Sequence, residues 1–412
     1  MNLLLLNFDF PPNPGIGGRR WAKLSKALAQ RGHTIHVVKA RYLRKQQQST
    51  WYSDVESPSI HVHEVDCAYP SSLLHSPLSL VGKIRYRIDQ FILKQSERGT
   101  IYDKSIGWDK ELMPLCSRLI SEAKIDVIIA TGAPWNLLVY AARLKQKFPF
   151  CKLLVDYRDP WLTAVNYGMQ GLSASRMKAE TDKQSFVFRY ADCVTTPYAY
   201  LTRELENWCI QHCEKRPRFD TVEHFFDPDD FGAIHSDTST KQEIRVVYAG
   251  DIYIKSETQW TLLKNIIDQH SPALAQLGKK LRFDFYTTAA MPTCMLEIPN
   301  VHVHKPIGKG IYSVLANADV LLVVLPDNKK NERTTKFFEY LPYRKPIFVV
   351  AGNGEVTEFV ELHKLGVHIH APSNEVVDLL SGKFFENRFN SEFHIETCTS
   401  QERASQIIKL LA

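Results

Sequence analysis

The chain has 412 residues, 44% of them hydrophobic and 23% charged, with a formal net charge of +6. That is the composition of a globular protein of about two domains. No apolar run reaches the ~20 residues a membrane-crossing helix needs, and the eight Cys are scattered without a disulfide framework. The charge is uneven. Residues 1–232 hold 31 Lys+Arg against 25 Asp+Glu, and the remainder balances at 20 and 20. A basic excess suits phosphates, nucleic acid or an anionic membrane surface.

The first residues, MNLLLLNFDFPP, lack a basic n-region, and their apolar run is too short for a signal peptide. Leu3 to Leu6 read as a buried first strand within the apolar run Leu3–Phe8, and the scattered Cys suggest a protein of the reducing cytoplasm. A Pro/Gly loop follows, then a helix over Arg20–Arg31 ended by Gly32. Thr34–Lys39 is the second strand. The segment up to Asp126 reads as irregular apart from Leu80–Gln95, an amphipathic stretch with Lys83, Arg85, Arg87 and Lys94. Such a helix can lie on anionic lipid, or it can be an ordinary solvated surface helix. Strands follow at Asp126–Ala130, Lys152–Tyr157 and Cys193–Thr196, with helices at Leu137–Phe148 and Ala174–Tyr190.

The polar run DPDDFGAIHSDTSTKQE reads as a linker. The alternation then restarts. Strands are expected at Ile244–Ala249, Leu281–Tyr286, Val301–Lys305, Asp319–Leu325 and Pro346–Val350. Helices are expected at Glu257–His270, Ile311–Ala318, Lys336–Tyr343, Glu355–Leu365, Glu375–Leu380 and Ser400–Leu411. Continuous apolar strands alternating with helices mean parallel sheets covered on both faces. The expected fold is α/β, two doubly wound domains with a cleft at their strand C-termini. The boundaries are 1–232, a linker at 233–243, 244–395, and a last helix within 396–412.

The loops at strand ends carry the candidate chemistry. Gly15, Gly17 and Gly18 after the first strand do not form GxGxxG, so the dinucleotide fingerprint is missing. They allow close backbone approach to a ligand, with Arg19 and Arg20 to meet an anion, or they make a tight turn. Asp156-Tyr157-Arg158-Asp159-Pro160-Trp161 leaves a buried strand. Its Arg158 pairs structurally with Asp156 or Asp159, or the group binds an acceptor. Thr131–Asn136 has no ionisable group and can only shape a pocket. After the first strand of the second domain, Gly250 would admit a phosphate and Lys255 would neutralise it, unless Lys255 is a plain surface lysine.

The most informative segment is Thr334-Thr335-Lys336-Phe337-Phe338-Glu339-Tyr340-Leu341, followed by Lys345-Pro346-Ile347. A helix start is a phosphate seat, to which Thr334, Thr335 and Lys336 add donors. Glu339, about one turn on, could accept both hydroxyls of a ribose. An ordinary capped helix is the alternative. Metal-like groupings (Cys209, His212 and Cys213; His302, His304, His368 and His370; Asp227-Pro228-Asp229) read as packing and turn residues, so no metal is expected.

Taken together, FDFPPNPGIGGRRWAKLSKALAQRGHTIHVV, VDYRDPW, HFFDPDDF, VVYAGDIY and TTKFFEYLPYRKPI resemble the bacterial glycosyltransferases of the GT-B fold, retaining family 4, in a subgroup with DxRDPW and KxxEYL elements. The resemblance covers nearly the whole chain. It implies transfer of a sugar, without metal or other cofactor, from a nucleotide-diphosphate sugar, UDP being the preferred guess. The acceptor would be a glycan or lipid-linked glycan in cell-surface polysaccharide synthesis. It places Lys336, Lys255, Asp159 and Arg158 in catalysis. Gly17, Gly18, Gly250, Pro306, Ile307, Thr334, Thr335 and Glu339 would bind the donor, Pro306-Ile307 touching the base and Glu339 the ribose. The last helix would pack back on the first domain. An anionic membrane at the inner face of the plasma membrane, met through Leu80–Gln95, is the further partner, and no nucleic acid is expected. The first Glu of the family's E-x7-E is replaced by Asn331, with Glu332 one position off. A non-catalytic subunit binding a partner transferase and a nucleotide-sugar epimerase are the alternative functions.

Overall fold

The computed structural model describes residues 1–13, 16–41, 49–74, 79–231, 243–253, 255–370 and 393–412. Nearly all of the expected linker 233–243, the expected helix Glu375–Leu380 and Gly15 lie outside the described residues. The chain divides into two compact units, Met1–Val222 with Arg403–Ala412, and Glu223–Glu402.

The first unit is built on strands β1 (Asn2–Leu6), β2 (Thr34–Ala40), β3 (Ile60–Val65), β4 (Val127–Gly132), β5 (Lys152–Tyr157), β6 (Cys193–Thr196) and β7 (Arg218–Thr221). They form one sheet in the order β3-β2-β1-β4-β5-β6-β7, parallel throughout. Its helices are α1 (Arg19–Gln30), α2 (Leu80–Ser96), α3 (Asp109–Glu122), α4 (Asn136–Lys147), α5 (Ala174–Tyr190) and α6 (Ala199–His212). Leu3 to Leu6 and Val127 to Ala130 are essentially inaccessible to water, as central strands of a doubly covered parallel sheet must be.

The region between the second strand and Asp126 is not irregular. It holds β3 and α3 as well as α2. β3 is an edge strand whose His61, Val62 and Glu64 face solvent, so its apolar signal is diluted. α3 carries Pro114 inside it, yet buries Leu112, Cys116, Leu119 and Ile120 at helical spacing.

The second unit repeats the plan with β8 (Glu243–Ala249), β9 (Lys280–Tyr286), β10 (Val301–His304), β11 (Val320–Val324), β12 (Ile347–Val350) and β13 (Gly366–Ile369). The order is β10-β9-β8-β11-β12-β13, again parallel. The helices are α7 (Glu257–Gln276), α8 (Thr293–Leu296), α9 (Ile311–Ala316), α10 (Thr335–Tyr340) and α11 (Glu355–Leu362). Buried Asp284 on β9 binds Arg245 of β8 at 2.5 Å, Arg282 at 3.1 Å and His304 of β10 at 2.9 Å. Burial alone would raise its pKa, but these three partners hold it down to about 2. His304 is thus a cross-strand tie. His368 is another, its ring bonded to Glu361 and to the Ala351 carbonyl.

The final helix, α12 (Ser400–Leu411), returns to the first unit from Arg403 onward. Arg31 donates to Ser405 Oγ at 2.8 Å, Gln406 to Asp220 at 3.0 Å, and Lys152 Nζ to the carbonyls of Leu411 and Ala412 at 2.6 and 2.8 Å. Among the described residues, no helix is long and apolar enough to cross a membrane.

Candidate functional site

In both sheets the strand order reverses once, between β1 and β4 and between β8 and β11. The loops leaving neighbouring strands diverge there, and the crevice at the strand C-termini is where open α/β sheets bind ligands.

At the first unit's reversal, β1 runs into the glycine loop. Gly17 and Gly18 are needed for space. A Cβ on Gly18 would lie 2.3 Å from the Asp9 carbonyl oxygen, and one on Gly17 2.9 Å from Arg158 Nη1. The Arg158 guanidinium donates to the carbonyls of Gly17 (2.6 Å), Ala133 (3.0 Å) and Gly132 (3.3 Å). It pairs with neither Asp156 nor Asp159 and instead clamps the loops after β1 and β4 to each other. Asp159 is exposed.

The expected ion pair of Asp156 exists, but with Arg20 of α1 (3.0 and 3.1 Å). Asp156 also accepts from Trp21 Nε1 at 2.8 Å and Thr195 Oγ1 at 2.8 Å. Arg20, which also donates to the Val222 carbonyl at 2.6 Å and is buried, is therefore a core residue tied to Asp156.

Two buried carboxylates escaped the sequence reading. Asp103 accepts from the amides of Trp135 (2.7 Å) and Asn136 (2.9 Å), closing the N-terminus of α4 with an internal anion. Glu180 accepts from Thr100 N (2.9 Å) and from Trp161 Nε1 (2.8 Å), fixing the YRDPW turn. Trp161 stacks on Trp135 at 5.5 Å. Both carboxylates act across tens of residues of sequence, where no local pattern signals them.

At the second unit's reversal, β8 ends in Gly250 and α10 brings Lys336. Gly250 has φ of 123°, where side chains are strained, and a Cβ there would sit 2.8 Å from Lys336 Cε. Two residues far apart in sequence thus pack directly together. The Lys336 ammonium is buried, has no hydrogen-bond partner among the described residues and lies 3.6 Å from the centroid of the Tyr248 ring. Burial drives its pKa down to about 7, against smaller upward pulls from Asp251 and Glu339.

Tyr340 Oη accepts from the Ala249 amide at 3.0 Å, joining α10 to the end of β8. Thr335 Oγ1 lies 3.4 Å from His224 Nδ1. Thr334, the residue before α10, makes no capping bond with its side chain. Burial, ahead of the Glu332 charge, raises Tyr253 to about 12, and a bond with Thr334 opposes the rise. Of the remaining expected donor residues, Glu339 is half-buried on α10 and the other three are open to solvent. Lys255 is exposed with φ of 66°, and Pro306 and Ile307 are exposed after β10. Asn331 Oδ1 sits against the backbone at Gly354, and Glu332 pairs with Lys329 at 2.5 Å. Asp227 of the DPD triplet accepts from the Asp229 amide at 3.2 Å, a turn cap.

Residues 17–212 match the family model described as a glycosyl transferase 4-like domain. No curated protein matches the sequence closely enough to count as a relative. Solved structures do match in fold. Sucrose-phosphate synthase from Thermosynechococcus elongatus aligns at TM-score 0.58 with 13% identity, over 100% of this chain and 98% of that one. The UDP-forming α,α-trehalose-phosphate synthase from Burkholderia xenovorans aligns at 0.60 with 11% identity, over 100% and 99%. The lipopolysaccharide outer core galactosyltransferase WaaB aligns at 0.55 with 9% identity, over 100% and 99%. The chain is a two-domain α/β protein of the GT-B fold, and residues 17–212 of its first unit are similar to the glycosyl transferase 4-like domain.

Proposed function

We propose that this protein is a glycosyltransferase that moves a sugar from a nucleoside-diphosphate sugar, preferentially a UDP-sugar, to a glycan or lipid-linked glycan at the inner face of the plasma membrane. The observation that carries the reading is the buried ammonium of Lys336 beside Gly250, which has no hydrogen-bond partner among the described residues. A cation placed there at the end of β8 is costly unless an anion completes it, and a diphosphate is such an anion. Glu339 would take the ribose hydroxyls, Thr334 and Thr335 would support the phosphates with Lys255, and Pro306-Ile307 would face the base.

The chemistry follows from the charge. The bond from the sugar C1 to the phosphate oxygen breaks through an oxocarbenium-like state while the bond from C1 to the acceptor oxygen forms. Negative charge grows on the leaving diphosphate, and a fixed cation aimed at it lowers the barrier. With retention by front-face attack, the acceptor proton passes to a phosphate oxygen, so no protein base or metal is required. Gly17 and Gly18 would let backbone approach the reacting sugar, and Arg158 holds their loop in place. Asp159 would contribute on the acceptor side.

Calorimetric titration with UDP, GDP, CDP, ADP and dTDP, with and without Mg²⁺, tests the donor site. The expected result is binding to one diphosphate, unchanged by Mg²⁺, and weakened at least about tenfold by Glu339→Ala, the scale of a lost charge-assisted hydrogen bond. Unchanged affinity in that variant would remove Glu339 from the site. Arg158→Ala is expected to lower sugar transfer by about two orders of magnitude, the scale of misplaced reacting groups, with diphosphate affinity retained. Loss of both together with a lower melting temperature would make Arg158 purely structural.

One observation favours a second reading. Asn331 stands at the first Glu position of E-x7-E, and Glu332 is engaged by Lys329. A GT-B-fold subunit that supports a partner transferase without turnover would tolerate this, and turnover by the purified chain alone excludes it.

A further inference from the structure

Helix α2 is amphipathic in the inverted sense. Leu80, Val81, Ile84, Ile88, Phe91 and Ile92 are between 52% and 78% exposed. At about 100° per residue they share one stripe roughly 120° wide, and that stripe faces water. The opposite side holds the helix to its unit. Leu93 is buried with Tyr69, Ile101 and Ile106. Asp89 accepts from Ser72 Oγ at 2.5 Å, and Gln90 donates to Tyr102 Oη at 3.1 Å. Arg176 donates to the Lys94 carbonyl at 2.5 Å. The exposed stripe is therefore not the result of a detached helix. The helix is fastened by its polar side and displays its apolar one, whereas a globular protein gains stability from the reverse.

The charges beside the stripe indicate what covers it. On the same helical wheel Lys83, Arg87 and Lys94 line one margin and Arg85 the other, and all four are exposed. Two copies of this chain pairing through the stripe about a twofold axis would bring like-charged margins together. An anionic bilayer accepts both features at once, apolar side chains among the acyl chains and cations at the headgroups.

We infer that α2 is a monotopic membrane anchor that inserts its Leu80–Ile92 stripe into an anionic leaflet, with its axis in the plane of the interface. The inference deepens the function proposed above by giving the protein a fixed way to meet a lipid-linked acceptor. It rests on that reading for the acceptor and on the helix alone for the membrane contact.

Flotation of the full chain tests it, with vesicles of phosphatidylcholine alone and of phosphatidylcholine with phosphatidylglycerol, at low and high salt. Wild type is expected to float with the anionic vesicles, less so at high salt, and to float poorly with the neutral ones. The double variants Ile84→Glu/Phe91→Glu and Lys83→Glu/Arg87→Glu are each expected to partition at least ten times more weakly, with unchanged melting temperature because these side chains are exposed. No flotation of wild type, or flotation indifferent to the stripe variant, overturns the inference. So does a concentration-dependent dimer seen by light scattering without lipid and abolished by Ile84→Glu/Phe91→Glu, which would make a second copy the occupant. UDP titration of the same proteins separates the two claims. Retained nucleotide binding without flotation defeats only the anchor, and flotation without binding of any nucleoside diphosphate defeats only the donor site.

Discussion

Replacing Lys336 by Met is expected to make the protein more stable and unable to bind a nucleoside diphosphate. The ammonium is buried over the Tyr248 ring with no hydrogen bond among the described residues, and burial lowers its folded pKa from 10.5 to about 7. An unfolded chain keeps the proton that the folded one releases between those values. Stability therefore rises with pH across that window, and the full cost of the buried charge is present below pH 7. A shift of that size corresponds to an upper figure on the order of 4–5 kcal/mol, and methionine, of similar length and without charge, should recover roughly half of it. The second unit's thermal transition should rise by about 5 °C or more.

The opposite holds for the ligand. A diphosphate calls for the protonated lysine, so wild-type affinity should be greatest below pH 7 and fall as pH rises. Calorimetry in buffers of different ionisation enthalpy should register proton uptake on binding near pH 7.5. In Lys336→Met both the affinity and this uptake should vanish. A variant that binds UDP like wild type would show that Lys336 has only a packing role.

Asp156→Ala is expected to unfold the first unit readily. The carboxylate is wholly buried and satisfies both Arg20 nitrogens that face it, the Trp21 indole and the Thr195 hydroxyl. Removing it leaves a buried guanidinium without its counter-charge, which costs about 3–5 kcal/mol. Arg20→Met combined with Asp156→Leu should regain only part of that loss, because the lone buried charge is gone while the Trp21 indole N–H, the Thr195 hydroxyl and the Val222 carbonyl still lose their partners. Denaturant unfolding of the single and double variants measures the coupling. A stable Asp156→Ala that still binds the diphosphate yet fails only in transfer would instead make this carboxylate an acceptor ligand.

The α/β alternation was legible because central parallel strands are continuous apolar runs, as in Leu3–Leu6 and Val320–Val324, each flanked by helical spacing. The edge strands β3 and β7 were not. IHVHEV and RFDT carry histidine and charge on faces that water reaches, and nothing in such a run separates strand from loop. In the second unit Gly250 and Lys336 could both be singled out from the sequence, and they pack against each other, but the Tyr248 ring beneath the ammonium could not be read. In the first unit, nearness along the chain misled. Asp156 and Arg158 stand two positions apart and do not pair, while Arg20 reaches Asp156 from 136 residues away. Charge partners inside a packed domain are set by which elements the sheet order makes neighbours, and the sequence does not display that order.

The return of α12 to the first unit has a consequence for how the protein is made. Ala404, Ile407 and Leu411 are buried, and the bonds of this helix to Arg31, Asp220 and Lys152 complete a body whose other residues end at Val222. During synthesis the first unit must wait, its surface for α12 uncovered, while some 180 residues of the second emerge, at about 5–20 residues per second. For that interval the nascent first unit exposes an incomplete patch to chaperones and to neighbouring chains. The second unit, one continuous stretch of sequence, can reach its native form before the first has closed.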